Sequence, residues 1–135
     1  TAALLHDIGH LLHDLPDDAP EQGVDDCHES SAARALDGLF PDEVIEPVRL
    51  HVAAKRYMCA VDPEYHAQLS EPSQLSLKLQ AGPMSDAEVA EFESSPHFEE
   101  AVRLRKWDDL AKVRDLETPS LEHYWKYVEQ VCLES

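Results

Sequence analysis

Positive charge is scarce in this chain. Its 135 residues carry 11 Lys and Arg against 28 Asp and Glu, a formal net charge of -17. That balance argues against nucleic acid or an anionic membrane as partner, because both are bound through a basic face. It leaves open a small anion, whose binding depends on local cations. Long apolar runs are also missing: none approaches the roughly 20 residues of a membrane span, and no charged-then-apolar leader is visible. The three cysteines, Cys27, Cys59 and Cys132, are scattered and odd in number, so no disulfide framework is implied and a reducing cytoplasm is expected. There is no repeat and no low-complexity tract. Leu75, Leu77 and Leu79 alternate like a strand, but no second strand-like segment exists to pair with them. The segment is therefore read as helix and the chain as all-α, a single domain over residues 1–135.

What is present is helical patterning. Leu4, Leu5, Ile8, Leu11, Leu12 and Leu15 recur at helical spacing, which predicts a first helix over residues 1–14. The acidic stretch from Asp14 to Asp26 reads as a solvated loop without the ligand spacing of a calcium loop. Asp26-Cys27-His28-Glu29 has capping-box spacing and predicts a helix that buries Ala32, Ala33, Leu36, Leu39 and Phe40. Pro47 suits the first turn of the next helix, which carries Val48, His51, Val52 and Lys55. Asp62-Pro63 opens a short helix to about Leu69, and Ser73 to Gln80 is the next. Gly82-Pro83 breaks it, and Ser85-Asp86-Ala87-Glu88 is a second capping box. Pro96 restarts a helix through Phe98, Ala101, Val102, Trp107 and Ala111. Thr118-Pro119 opens the last, with Leu121, Tyr124, Trp125, Val128 and Cys132 as its apolar stripe; Tyr124 and Trp125 read as core.

Within this pattern, four separated segments, each on a probable helix, offer metal-capable side chains. His6-Asp7 is an adjacent imidazole–carboxylate pair on a helix with an apolar back, and such groups are costly to desolvate without a partner. Nitrogen and carboxylate oxygen together suit Fe, Mn or Zn. His28, His51 and Asp108 add the same donor types from three further segments. Asp109 would point about 100° away from Asp108 on a helix, so only one of the two should ligate. His6, His10 and His13 lie at i, i+4 and i+7 and share one helical face. Lys55 is one turn from His51, where its charge suits a phosphate or phosphonate oxygen. His13, His66, His97 and His123 sit in polar contexts and read as surface residues, and Glu29 as capping and helix-dipole chemistry.

These blocks resemble the HD-domain superfamily through His6-Asp7. More closely they resemble the mixed-valent di-iron oxygenases of phosphonate catabolism. The resemblance rests on Leu5-His6-Asp7-Ile8-Gly9-His10, Asp26-Cys27-His28-Glu29 and Leu50-His51-Val52-Ala53-Ala54-Lys55-Arg56-Tyr57. Gln80-Ala81-Gly82-Pro83-Met84 and Leu104-Arg105-Lys106-Trp107-Asp108-Asp109 complete it. The block from His51 to Tyr57 and the Gln-x-Gly-Pro-Met block are the specific ones; the family more often has Gly where Ala81 stands. The resemblance implies an HD-domain helical bundle with a di-metal site in its core. It implies two iron ions (Fe2+/Fe3+) held by His6, Asp7, His28, His51 and Asp108, with Asp7 bridging.

It further implies that His10 and Lys55 hold an organophosphonate, with Ser73 and Ser76 as weaker candidates. Dioxygen would cleave the carbon–phosphorus bond of a 1-hydroxy-2-aminoethylphosphonate-type substrate to phosphate and a carboxylic acid. The family carries one more His ligand on an upstream helix, so this chain reads as N-terminally truncated. Two other classes share parts of the pattern. An HD-type phosphohydrolase would use a metal-bound water on a phosphate ester, and a non-catalytic binding domain would be expected to lose ligands.

Overall fold

The computed structural model describes residues 1–12 and 22–133, and among these it contains helices and no strand. The eight α-helices are α1 (Ala2–Leu5), α2 (His28–Leu36), α3 (Asp42–Val61), α4 (Pro63–Gln68), α5 (Glu71–Leu79), α6 (Asp86–Glu93), α7 (Phe98–Ala111) and α8 (Leu121–Glu129). A short 3₁₀ helix, Ile8–Leu11, lies between α1 and α2. No helix among the described residues is long and apolar enough to cross a membrane.

α3 is the axis of the fold. It packs against α7, α2, α1, α4 and α6. Its inner face buries Val44, Ile45, Val48, Val52, Ala54 and Met58 at helical spacing. Where α2 crosses it, Ala32, Ala33, Leu36 and Phe40 close over Val48, which has no exposed surface. Burying one such side chain is worth about 1.5–3 kcal/mol. Further along α3, Ala54 packs with Phe92 and Ala101, and beyond them Cys59 with Leu69 and Leu77. The same helix presents His51 and Lys55, both buried.

Several sequence expectations are corrected. The helix expected over residues 1–14 is broken: α1 ends at Leu5, His6 and Asp7 form a turn, and the 3₁₀ helix follows. His6 and His10 therefore do not share one regular helical face. Leu11 and Leu12 are exposed rather than packed, and His13, Leu15 and most of the acidic stretch lie outside the described residues. Gly9 supplies the physical reason for the tight turn. A Cβ there would sit 1.9 Å from the His28 carbonyl oxygen, so the 3₁₀ helix lies directly on the start of α2. Gly9→Ala is expected to force the two apart at a cost of about 3 kcal/mol. A fall in the thermal unfolding midpoint checks it; an unchanged midpoint would show that the contact is not tight.

The capping box expected at Asp26 does not form. Cys27 is the N-cap, in the left-handed region at φ 47, and the Asp26 side chain turns to His28 instead. Leu39, expected to be buried, lies past the end of α2 and is exposed. Pro47 lies inside α3, because the helix already starts at Asp42, where Asp42 and Glu43 favour its positive end. Trp125 is exposed and Tyr124 only half-buried, because α8 docks mainly through Val128. Other caps are as read: Asp62 accepts from Glu64 and Tyr65 N–H at the start of α4, and Ser85 with Glu88 forms a complete capping box.

Arg56 joins the two most specific sequence blocks. Its Nε donates to the Gly82 carbonyl at 2.8 Å, and its guanidinium reaches Glu88 on α6 at 2.7 Å. The turn it holds contains Ala81 at φ 69 and Gly82 at φ 74. A left-handed conformation costs a non-glycine residue about 1–2 kcal/mol, which glycine at position 81 would relieve.

Candidate metal centre

The turn after α1 carries His6 and Asp7, the start of α2 carries His28, α3 carries His51 and α7 carries Asp108. The structure brings all five together. Two donor clusters share one carboxylate: Asp7 with His28 and His51, and Asp7 with His6 and Asp108, each with donor atoms within 4.8 Å of one another. The two oxygens of Asp7 divide between them. Oδ1 lies 3.6 Å from His28 Nε2 and 3.8 Å from His51 Nε2, while Oδ2 lies 3.2 Å from His6 Nε2. Asp108 Oδ1 is 3.7 Å from the same His6 nitrogen.

Each imidazole is held by its other nitrogen. His6 Nδ1 donates to the Ala3 carbonyl at 2.8 Å, His51 Nδ1 to the Val48 carbonyl at 2.6 Å, and His28 Nδ1 to Asp26 Oδ1 at 2.9 Å. All three Nε2 atoms therefore turn toward Asp7. His28 Nε2 and His51 Nε2 face each other at 3.1 Å. With both Nδ1 atoms donating, two lone pairs meet there in the neutral rings. Two nitrogens each bonded to one metal at about 2.1 Å would stand roughly 3 Å apart, so the spacing suits a shared cation. His6 Nε2 is buried without a hydrogen-bond partner; the nearby carboxylates attract it without hydrogen-bond geometry. An orphaned buried nitrogen and a face-to-face imidazole pair both fit a metal centre.

The electrostatics agree. Burial pushes the His51 imidazole down to about 4, and the neighbouring His28 and His6 add to it against its Val48 hydrogen bond. Its lone pair is thus available at neutral pH. Burial also acts to lower His6, but Asp108 and Asp7 outweigh it and hold it up at about 10, so this pair of carboxylates favours positive charge at that position. Asp108 is pushed up by burial but held well below the usual carboxylate range by His6, Arg105 and Lys112.

Arg105 belongs to the site as well. It is buried, donates from Nη1 to Asp108 Oδ2 at 2.8 Å and from Nε to the Tyr65 hydroxyl at 2.9 Å, and pairs with Asp109. Lys112 Nζ approaches the same Asp108 Oδ2 at 3.1 Å. Asp108 Oδ2 is thereby occupied, and Oδ1 faces His6. Asp109 serves this bracket and not the donor clusters. The legible signal was the i, i+3 and i, i+4 spacing of Arg105 to the two aspartates.

Beside the clusters opens a cavity of about 700 Å3, lined among others by Asp7, His10, His28, His51, Lys55, Ser73, Ser76, Gln80 and Arg105. Lys55 is 4% exposed, and its Nζ donates to Ser76 Oγ at 2.8 Å. Among the described residues no carboxylate lies within ion-pair distance of it. Burial, with Arg105 and Lys112 adding, lowers its ammonium to about 8, so it stays charged at neutral pH. Ser73 lines the cavity, and its hydroxyl meets Ser70 Oγ at 3.0 Å. His10 lines it too, with Nδ1 2.6 Å from Asp26 Oδ2 and its ring stacked on His28. His66 and His97 are half-buried and His123 is exposed, all outside this cavity.

No family model matches the chain. Among curated proteins, a hydroxymethylphosphonate dioxygenase of Gimesia maris is 50% identical over 135 residues, which is 99% of this chain and 67% of the relative. A [1-hydroxy-2-(trimethylamino)ethyl]phosphonate dioxygenase (glycine-betaine-forming) of Leisingera caerulea is 44% identical over 129 residues, 96% of this chain and 66% of the relative. The chain thus spans about two thirds of the length of each.

Proposed function

The chain belongs to the phosphonate dioxygenase family, and we propose that it uses dioxygen and two iron ions to cleave the carbon–phosphorus bond of a 1-hydroxyalkylphosphonate. The products are phosphate and a carboxylic acid. In this reading the bundle is an HD domain. His28 and His51 would hold one iron and His6 and Asp108 the other, with Asp7 offering one oxygen to each. The observation that carries it is the division of Asp7 between two donor clusters, one oxygen toward each.

Bound iron supplies the redox chemistry and the Lewis acidity that the side chains lack. The chain's own residues supply placement. Lys55 offers a buried ammonium with no carboxylate partner among the described residues, and it faces the cavity where a phosphonate would lie beside Asp7. Ser76 fixes the Lys55 ammonium, and the Ser73 hydroxyl extends that wall. His10 borders the same space. Arg105 adds positive potential while locking Asp108. Asp25 and Glu71, also on the cavity wall, offer carboxylates to an ammonium group on the substrate, which supports a 1-hydroxy-2-aminoethylphosphonate or an N-methylated form.

The test uses the full-length, iron-loaded protein with 1-hydroxy-2-aminoethylphosphonate, its N-trimethylated analogue and hydroxymethylphosphonate, with and without oxygen. Phosphate release is expected only with oxygen, matched by oxygen uptake. Equal release under anaerobiosis, or full activity with magnesium alone on a phosphomonoester, would replace this reading with a hydrolase.

A further inference from the structure

We propose that Asp26 is a positioning residue that fixes two imidazoles at once, one on the metal side and one on the cavity side; this rests on the two-iron reading above. Its carboxylate is largely buried. Oδ1 accepts from His28 Nδ1 at 2.9 Å and from the His28 backbone N–H at 3.3 Å, while Oδ2 lies 2.6 Å from His10 Nδ1. The two rings lie nearly parallel, 4.0 Å apart and inclined by 18°.

A carboxylate accepts and does not donate, so it holds His28 with hydrogen on Nδ1, and its close ion-pair approach to His10 Nδ1 favours hydrogen there too. That leaves both Nε2 atoms on the far side. His28 Nε2 then points to His51 Nε2 and Asp7 Oδ1, and His10 Nε2 lies 3.9 Å from the same Asp7 oxygen at the edge of the cavity. The left-handed Cys27 makes this possible. It starts the helix at His28, and the Asp26 side chain meets the His28 backbone N–H and ring Nδ1 in place of an N-cap role. Asp26 thus ties the orientation of a proposed ligand to that of a cavity histidine through one group. A carboxylate behind a metal-bound imidazole sets its tautomer and its basicity, and losing such a partner typically weakens metal binding 10–100-fold.

The experiment compares wild type, Asp26→Asn and Asp26→Glu in the full-length protein. Asparagine has the same size but only one accepting oxygen, so it must present an N–H2 to one of the two rings. In the metal-free protein, nitrogen NMR of the ring atoms is expected to show His28 and His10 fixed with hydrogen on Nδ1 in wild type. Asp26→Asn should move one of them toward hydrogen on Nε2, and Asp26→Glu should restore it to Nδ1. Anaerobic ferrous titration should then show a 10–100-fold weaker affinity in Asp26→Asn, partly recovered in Asp26→Glu. Unchanged tautomers in Asp26→Asn would overturn the proposal. So would a loss of affinity that only follows a lower unfolding midpoint of the metal-free protein, which would make Asp26 a support for the start of α2. If wild type itself takes up no iron, the two-iron reading fails while the tautomer measurement still decides the role of Asp26.

Discussion

Asp7→Ala in the full-length protein is expected to remove both metal ions at once and leave the helices in place. Asp7 is the one residue common to the two donor clusters built on His28 and His51 and on His6 and Asp108. Its side chain is half exposed, at 52%, sits in a turn, and has its close polar contacts with the imidazoles of the site. Its loss leaves one cluster with two imidazoles and the other with a single imidazole and a carboxylate. Two donors do not hold a metal against water as three do, so affinity should fall by more than the 10–100-fold typical of outer-shell changes. Metal analysis after anaerobic iron loading is the readout, with the unfolding midpoint as control. A loss of about 1 kcal/mol in metal-free stability is expected as well, because Asp7 helps to hold the largely buried His6 imidazole charged. Asp7→Ala protein that retains two irons would remove Asp7 from the centre. His51→Ala should behave differently, because it breaks one cluster and also opens a hole in the buried face of α3.

Lys55→Met is expected to keep its iron and lose its substrate. The ammonium touches none of the metal-facing atoms; its described hydrogen bond goes to Ser76. Removing the charged partner of a buried anion typically costs ~2–5 kcal/mol, a thirtyfold or larger loss in phosphonate binding. Metal-free stability should move the other way. Burial lowers the Lys55 ammonium from 10.5 to about 8, so the unfolded chain binds the proton more readily than the folded one. The charge therefore opposes folding below pH 8, and stability attributable to Lys55 rises with pH between about 8 and 10.5. Methionine fills the same space without that cost, so the variant should be at least as stable as wild type at neutral pH. Phosphonate titration of the iron-loaded variant and urea unfolding of the metal-free one are the checks. Unchanged affinity would return Lys55 to a packing role.

The contrast between Asp7 and Gly9 shows what was legible in the sequence. Imidazole and carboxylate groups among apolar residues signal their own chemistry, and so the five residues that meet in space could be named from four separate segments. The backbone between them could not. Leu4, Leu5, Ile8, Leu11 and Leu12 have helical spacing, and periodicity alone does not register that Gly9 lies against the His28 carbonyl, where a Cβ has no room. Asp26 departs from its sequence pattern for a related reason. Its spacing to Glu29 fits a capping box, but Cys27 takes a left-handed conformation that spacing does not reveal. Arg105 has only a weak signal in the sequence, because its role depends on Tyr65, 40 residues away, as much as on its helical neighbours Asp108 and Asp109. In α8 the apolar stripe suggested burial of Trp125, yet the helix docks through Val128 and leaves Trp125 at 57% exposure.

The most direct measurement of the two-metal centre is anomalous diffraction at the iron edge from crystals of the full-length protein loaded anaerobically. Two iron peaks are predicted, about 3.5–4 Å apart as in other two-metal sites. One should lie among His28, His51 and Asp7, and the other among His6, Asp108 and Asp7. A single peak, or two peaks of which either lies out of reach of the Asp7 carboxylate, would contradict the bridged centre.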